Sequence, residues 1–394
     1  MAGPVVIAGA GQGGLQAAIS LRQAGFDGPV TLIGSEPGLP YQRPPLSKAY
    51  LKDGDADALA LRPQSFFETK DVTYLPETTV TRIDRDAGRV EVTGPAGGSA
   101  LPYEGLVLAT GTRNMRPPIE GLEHACDLRT LADARTLRGR LDAPRRIAVI
   151  GGGFIGLEFA AVAVKQGHEV AVIEAAPRLM ARAVSPLMSN RFATLHRDWG
   201  AELFLGQPAV SVDEAGVTLA DGTRVPADFV LLAAGVQPNV ELAEDAGLET
   251  ANGIRVDTRL RTSDPAISAL GDCASFPDPR TGRHVRLESV QAATDHARLI
   301  AARIAGDDPD GPDYVAVPWF WSDQGDRKLQ IAGFAGGPDT TDEAVTENVV
   351  ARFDEHGLAA VETINAARVH MKVRRMLASG DPIELSLLEE LAAA

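Results

Sequence analysis

A doubly repeated α/β architecture followed by a C-terminal α+β region is what this sequence of 394 residues predicts. Three observations carry that prediction: a strand–glycine–helix–strand–acid pattern near the N-terminus, a second copy of it beginning at Arg146, and a change of character after Pro318. The first pattern opens with Val5-Val6-Ile7-Ala8, an apolar run of the length of a buried strand. Gly9, Gly11 and Gly14 follow as G-x-G-x-x-G, and residues 15–21 carry helical apolar spacing. In such a turn the first glycine permits the sharp bend and the second lets backbone N–H groups approach a pyrophosphate. The third lets helix and strand pack closely, with the helix N-terminus facing the anion. Val30-Thr31-Leu32-Ile33 reads as the next strand, and Glu36 lies 22 residues after Gly14, where a ribose-binding carboxylate is expected. A lone glycine signature is weak, but strand, glycines, helix, strand and acid in this order read as a nucleotide site rather than a plain turn.

The second copy runs from Arg146-Ile147-Ala148-Val149-Ile150 into Gly151, Gly153 and Gly156, and on through Val170-Ala171-Val172-Ile173 to Glu174, 18 residues after Gly156. Leu106-Val107-Leu108-Ala109-Thr110-Gly111 is likewise echoed by Phe229-Val230-Leu231-Leu232-Ala233-Ala234-Gly235. Two Rossmann-like dinucleotide-binding units on one chain imply two dinucleotides. Between them, residues 37–48 hold four prolines and a glycine, which excludes a regular helix or central strand and predicts a rigid, shaped loop. Residues 72–93 alternate as short strands around a turn at Asp86-Ala87-Gly88. Past Gly235, Ile267-Ser268-Ala269-Leu270 ends in Gly271-Asp272, and residues 289–304 look helical. From Pro318, residues 319–321, 328–334, 348–353 and 358–364 read as antiparallel strands with a turn at Asp354-Glu355-His356-Gly357. Residues 366–379 read as a helix stopped by Gly380 and Pro382.

Composition narrows the class. The chain is too long for one ordinary core, so two or three domains are expected. It is 44% hydrophobic and 23% charged, with no run of 18 uncharged apolar residues, so no membrane span is predicted. Its first residues lack a basic segment and enter a strand at once, which argues against a signal peptide and for a cytoplasmic protein. A net charge of −15 disfavours nucleic acid or an anionic membrane as partner. Only Cys126 and Cys273 are present, 147 residues apart, which excludes a close-spaced redox disulfide and a structural zinc site. The seven histidines are scattered, and none is assigned a catalytic or metal role.

Two fingerprints in tandem, with Gly271-Asp272 downstream and an α+β C-terminal region, resemble the two-dinucleotide flavoprotein disulfide reductases. Tyr41-Gln42-Arg43-Pro44-Pro45-Leu46-Ser47-Lys48, Leu287-Glu288-Ser289-Val290-Gln291 and Trp319-Phe320-Trp321-Ser322-Asp323-Gln324 are similar to the branch that feeds ferredoxins in bacterial monooxygenase and ring-hydroxylating dioxygenase systems, the putidaredoxin reductase and biphenyl dioxygenase ferredoxin reductase type. The resemblance covers the chain from residue 5 to about residue 380. It implies a glutathione-reductase-like fold: residues 1–113 and 241–317 as a discontinuous FAD-binding domain, 114–240 as an NAD-binding domain and 318–394 as the C-terminal α+β domain. Gln42, where the family usually has an acid, and Gly325-Asp326-Arg327, where it has Tyr-Asp-Leu, depart from the pattern.

The resemblance also implies site roles. Gly9, Gly11, Gly14 and Glu36 would hold the adenosine and pyrophosphate of FAD, with Thr110, Gly111 and Asp272 along the dinucleotide and the backbone near Val290 at the pyrimidine edge of the flavin. Arg43 suits a phosphate or the flavin rim. Lys48 is expected beside the isoalloxazine ring, where a cation favours its electron-rich form, and Trp321 near that ring, with a core tryptophan as the alternative. Gly151, Gly153 and Gly156 would bind NADH, with Arg182 and Glu288 in the same site. Glu174 accepts from a ribose 2′-OH and repels a 2′-phosphate, so NADH is predicted over NADPH by at least about tenfold, or about 1.4 kcal/mol. Arg178 and Arg182 would soften that preference. Glu158, two residues past Gly156, is expected to pair with Lys48; the alternative is an ordinary first-turn helix acid. Lys48, Glu158 and Trp321 are thus the candidate catalytic residues.

With no thiol relay, and no cysteine in the 41–48 loop where a peroxidase or oxidase of this superfamily would want one, a one-electron protein acceptor fits best, and the resemblance implies an acidic [2Fe-2S] ferredoxin. Arg368, Lys372 and Arg375 share one helical face, Val369, Val373 and Met376 another, and Arg327 and Lys328 extend the basic patch; a merely solvated face is the alternative. Rubredoxin, quinone or oxygen as acceptor, and a redox-sensing flavoprotein resembling apoptosis-inducing factor, are the rival readings. Either a monomer or a homodimer is compatible with the sequence.

Overall fold

The structure is a computed structural model that describes residues 2–306, 311–335, 340–380 and 382–393. The chain folds as two compact units: Met1–Gln42, Asp57–Arg113 and Gln237–Ala316 make the first, and Arg43–Ala56, Asn114–Val236 and Val317–Ala394 the second.

The first unit is built on a five-stranded sheet in the order Ile267–Ala269, Gly105–Leu108, Val5–Ala8, Val30–Ile33, Val72–Leu75. Every neighbouring pair is parallel. Val5, Val6, Ile7 and Ala8 are all buried, as strands covered on both faces must be, which is why they read as an unbroken apolar run. The chain fills the sheet outward on both sides of Val5–Ala8, so the strand order reverses there, where a doubly wound sheet opens a crevice at its C-terminal edge. Helix Gln12–Gln23 leaves from that edge and packs against helix Val290–Ala305, so closely at Gly13 that a Cβ there would lie 3.3 Å from the Ala293 side chain. Strands Thr79–Asp84, Arg89–Gly94 and Gly97–Pro102 form a small antiparallel sheet.

The second unit repeats the plan. Its parallel sheet runs Glu202–Leu205, Glu169–Glu174, Arg146–Ile150, Phe229–Leu232, Ala125–Cys126, and helix Phe154–Lys165 leaves the central strand through the second glycine turn. A five-stranded antiparallel sheet completes the unit, in the order Trp319–Gln324, Arg327–Gly333, Gly357–Ile364, Val349–Asp354, Thr341–Thr346. Helix Ala367–Ser379 covers it, with Val369 and Val373 in one core with Val349, Ala351 and Val361. That helix ends at Gly380 in the left-handed conformation, as its sequence predicts.

Several elements have no counterpart in the sequence reading, among them helices Leu131–Arg140 and Pro186–Trp199 and the small sheet Ala209–Asp213, Gly216–Leu219, Arg224–Pro226. Strand Gly97–Pro102 opens with glycines and a serine, weak strand formers held by pairing to Arg89–Gly94. Thr341–Thr346 is a polar edge strand, and helix Leu385–Ala393 lies beyond the proline that reads as a stop. Among the described residues no helix is long and apolar enough to cross a membrane.

Candidate functional site

Backbone crowding fixes the glycine turn of the first unit. A Cβ on Gly14 would lie 1.8 Å from the carbonyl oxygen of Gly9, so helix and strand can approach this closely only with glycine there. Gly11 is different, for a Cβ on it would meet nothing within 4 Å. The space before the helix N-terminus is open, no side chain caps the helix, and its first turn carries no acid. Uncapped N–H donors at the positive end of a helix dipole, facing open space, are what a pyrophosphate requires. The second unit has the same geometry: Gly156 is crowded at 2.2 Å by the carbonyl of Gly151, while Gly153 faces nothing within 4 Å. Both cradles fit a dinucleotide.

Each cradle has its acid. Glu36 accepts the hydroxyl hydrogen of Tyr41, and its charge, after burial, helps push the Tyr74 hydroxyl up to about 12. Glu174 accepts N–H from Gly152 at 2.7 Å on one oxygen and from Ala176 at 2.8 Å on the other. A carboxylate has about four acceptor positions, so each oxygen retains one for a ribose hydroxyl. Arg178 gives its donors to the carbonyls of Val184 and Ala181, committing it to its own loop, whereas Arg182 is exposed beside Gly235.

The remaining first-unit candidates have structural partners too. Thr110 and Asn239 exchange two hydrogen bonds of 2.8 Å, hydroxyl to carbonyl and amide to carbonyl, and the Asn239 N–H donates to the Gly111 carbonyl at 3.0 Å. Asp272 accepts from the Thr112 hydroxyl at 3.3 Å. Cys273 beside it is fully buried and burial pushes its thiol up, so it packs as a small apolar residue rather than a nucleophile. Val290 opens its helix under a Ser289 cap that accepts from the Ala292 N–H at 3.0 Å. Glu288 pairs with Arg286 at 2.7 Å and lies in the first unit, whereas Gly151, Gly153, Gly156, Glu174 and Arg182 lie in the second.

Lys48 and Glu158 meet within the second unit. Pro44 and Pro45 start a single 3₁₀ turn, Pro44–Ser47, so the proline-rich segment is locally helical, and Lys48 follows it. The ammonium lies 3.1 Å from Glu158 Oε1 and 3.4 Å from Asp323 Oδ2, and 6.0 Å from the centre of the Trp321 ring. Glu158 is only 5% exposed and also accepts hydroxyl hydrogens from Ser47 at 2.6 Å and Ser322 at 2.7 Å. The first-turn-acid alternative fails, because the helix begins at Phe154 and Glu158 sits beyond its first turn. Burial pushes this carboxyl up, and Lys48 followed by the two hydroxyls pulls it back. Trp321 is half-buried rather than a core residue: it stacks on Trp319, centres 5.3 Å apart, and the Arg374 guanidinium covers the Trp319 ring at 4.4 Å. Arg43 spends one donor on the Arg129 carbonyl at 2.7 Å.

Sequence reading missed Ser47, Ser322 and Gln324. The signal was available for two of them, since Ser322 and Gln324 alternate with Trp321 and Asp323, a spacing that sets polar residues on one face of a strand. The Gly325 departure has a physical reason. Its φ is +61° and a Cβ there would lie 3.1 Å from the Trp199 indole, so any side chain at 325 would be strained in its backbone and would need Trp199 to shift by a few tenths of an ångström. Gln42 is exposed, and nothing in the structure explains that change. On helix Ala367–Ser379, Arg368 and Arg375 are exposed and Lys372 half-buried, with Met371 52% exposed among them. Lys328 is 3.6 Å from Asp323, and Arg327 3.6 Å from Asp326.

Comparison with known proteins agrees with this geometry. Residues 3–297 match the pyridine nucleotide-disulphide oxidoreductase family and residues 319–393 the reductase C-terminal family. Rhodocoxin reductase of Rhodococcus erythropolis is 46% identical over 391 residues, covering 96% of this chain and 90% of that protein. The ferredoxin reductase for the CYP199A2 system from Rhodopseudomonas palustris superposes with a TM-score of 0.91 at 44% identity, over 99% of this chain and all of that one. The covalent putidaredoxin reductase–putidaredoxin complex gives a TM-score of 0.91 at 36% identity, over 98% and 95% of the chains. On the match from residue 3 to 297 and the shared C-terminal domain, this chain belongs to the pyridine nucleotide-disulphide oxidoreductase family, in the branch of oxygenase-linked ferredoxin reductases.

Proposed function

We propose that this chain is an FAD-dependent NADH:ferredoxin oxidoreductase that takes a hydride from NADH and passes single electrons to a [2Fe-2S] ferredoxin serving a monooxygenase or ring-hydroxylating dioxygenase. The observation that carries the reading is the pair of open glycine cradles together with a half-buried lysine on a buried glutamate, in a chain whose two cysteines are too far apart in sequence for a C-x-x-C relay. Bound FAD supplies the exchange between a two-electron hydride and single electrons. In the first unit the uncapped N–H groups that open the helix at Gly11 would face the FAD pyrophosphate, with Gly9 and Gly14 allowing the turn and its close packing; Glu36 would take the adenosine ribose, and Asp272 and the backbone at Val290 would lie along the rest. In the second, Gly151, Gly153 and Gly156 receive the NADH pyrophosphate and Glu174 its ribose 2′-OH. Glu158 and Asp323 hold the Lys48 cation at a fixed aim, so it needs no reorganisation when negative charge develops before it. No thiol and no acid–base pair is required.

The functional division follows as 1–113 with 241–317 for FAD, 114–240 for NADH and 318–394 for the C-terminal domain, working in the cytoplasm. The ferredoxin reductase for the CYP199A2 system and the putidaredoxin reductase–putidaredoxin complex support a ferredoxin as acceptor. Arg368, Lys372 and Arg375, with Arg327 alongside and Met371 as an apolar contact, form the docking surface for an acidic ferredoxin. Reversing Arg368, Lys372 and Arg375 to glutamate is expected to lower kcat/KM for ferredoxin at least tenfold at low salt and to flatten its salt dependence. NADH-dependent reduction of a small anionic dye should change little. Unchanged ferredoxin kinetics would discard this docking surface.

A further inference from the structure

We propose that His196, Gln324 and Ser322 form a one-way hydrogen-bond chain that holds Glu158 as the aimed, anionic partner of Lys48, which makes His196 a positioning residue for the hydride step. The inference rests on the functional reading above for its consequence, and on the second unit alone for its geometry.

The direction of the chain follows from counting hydrogens. Ser322 has one hydroxyl hydrogen, and its oxygen lies 2.7 Å from Glu158 Oε1 and 3.1 Å from Gln324 Nε2. A carboxylate can only accept, so the amide must donate to Ser322 for Ser322 to donate onward. The Gln324 NH2 also faces the Met180 sulfur at 3.5 Å, a second acceptor. Its carbonyl oxygen is thereby left facing His196 Nε2 at 2.8 Å, and that nitrogen must carry the proton. Rotating the amide would set oxygen against sulfur and would claim the Ser322 hydrogen, turning it away from Glu158. A ring nitrogen two hydrogen bonds away thus decides where the hydroxyl points.

The surroundings make the chain hard to rearrange. His196, Ser322 and Gln324 are wholly buried, so no water substitutes for a missing link. Met180 is held with φ +50° by its N–H bond to the Gly152 carbonyl, 2.9 Å, which keeps its sulfur in place. The Trp199 ring packs edge-on to His196 at 5.0 Å. His196 Nδ1 has no partner among the described residues, so a second ring proton would be buried without an acceptor. Burial accordingly lowers the His196 pKa, and the ring stays neutral. The groups facing Glu158 are Lys48 and Ser47 from the proline-initiated turn and Ser322 from the Trp319–Gln324 strand, with Asp323 of the same strand acting on Lys48.

The test follows Glu158 itself. Its carboxyl stretch is tracked by infrared difference spectroscopy across pH in the purified protein before NADH is added, with Glu158→Gln identifying the band. His196→Phe keeps a ring against Trp199 and removes the donor. It is expected to move the Glu158 midpoint up by about one pH unit or more, and to move the acidic limb of the pH profile for NADH-driven flavin bleaching in the same direction. His196→Gln, with a donor of similar reach, is expected to restore both. An unmoved midpoint in His196→Phe, or no rescue by glutamine, overturns the proposal. Should His196→Phe fail to fold, Ser322→Ala removes the last link, and an unmoved midpoint there overturns it equally. An unmodified protein that NADH does not bleach would overturn the functional reading, while the infrared midpoints would still decide the chain.

Discussion

Replacing Lys48 with methionine is expected to slow NADH-driven bleaching of the flavin about 100-fold, the usual scale for removing one preorganised electrostatic group from a reacting centre. Methionine keeps most of the stem's length and apolar volume, so packing is little disturbed. What disappears is a cation bonded at 3.1 Å and 3.4 Å to two carboxylates. Glu158 would remain buried without a cation, and because burial already pushes its carboxyl up, it would take a proton rather than stay charged. Two signatures follow in stopped-flow measurements over pH. The bleaching rate falls while the NADH concentration for half-saturation changes much less, and the acidic limb that reports loss of the Lys48–Glu158 pair vanishes. A variant that melts at a lower temperature but bleaches at the unmodified rate would mark the pair as structural only.

The second large effect separates two glycines of one motif. Gly11→Val is expected to leave the protein folded and to cut its flavin content more than tenfold, because the added side chain enters space that no protein atom occupies. The helix loses only an adequate N-cap, a cost of about 1 kcal/mol. Gly14→Val is expected to prevent folding of the first unit, since its Cβ would sit 1.8 Å from a backbone oxygen that cannot move away. Flavin absorbance per chain and circular dichroism, measured together, distinguish a folded colourless protein from an unfolded one. A yellow Gly11→Val protein would mean that the pyrophosphate lies elsewhere.

The parallel sheets were legible because strands covered on both faces must be continuously apolar, and the glycine turns because their spacing answers to backbone crowding that only glycine relieves. The second copy made the first believable. The Lys48–Glu158 approach was legible only through resemblance, since residues 110 apart in sequence carry no local sign of their distance in space. A first-turn acid stayed open as the alternative for Glu158 until the helix start at Phe154 was known. His196 had no signal at all. A histidine in a helix announces neither its tautomer nor its neighbour, and its role exists only because Gln324, whose amide faces the Met180 sulfur, reaches it from another element. The polar edge strand Thr341–Thr346 and the glycine-led strand Gly97–Pro102 were hidden for a related reason, because pairing rather than propensity creates them.

An anaerobic titration of the purified protein tests most directly whether two cradles bring NADH and FAD to a common task. Stoichiometric NADH should bleach a yellow protein, and an oxidised [2Fe-2S] ferredoxin, added in twofold excess because each cluster takes a single electron, should return the colour without oxygen. A protein that stays colourless after incubation with FAD, or one whose bleached form ferredoxin leaves unchanged, would contradict the assignment.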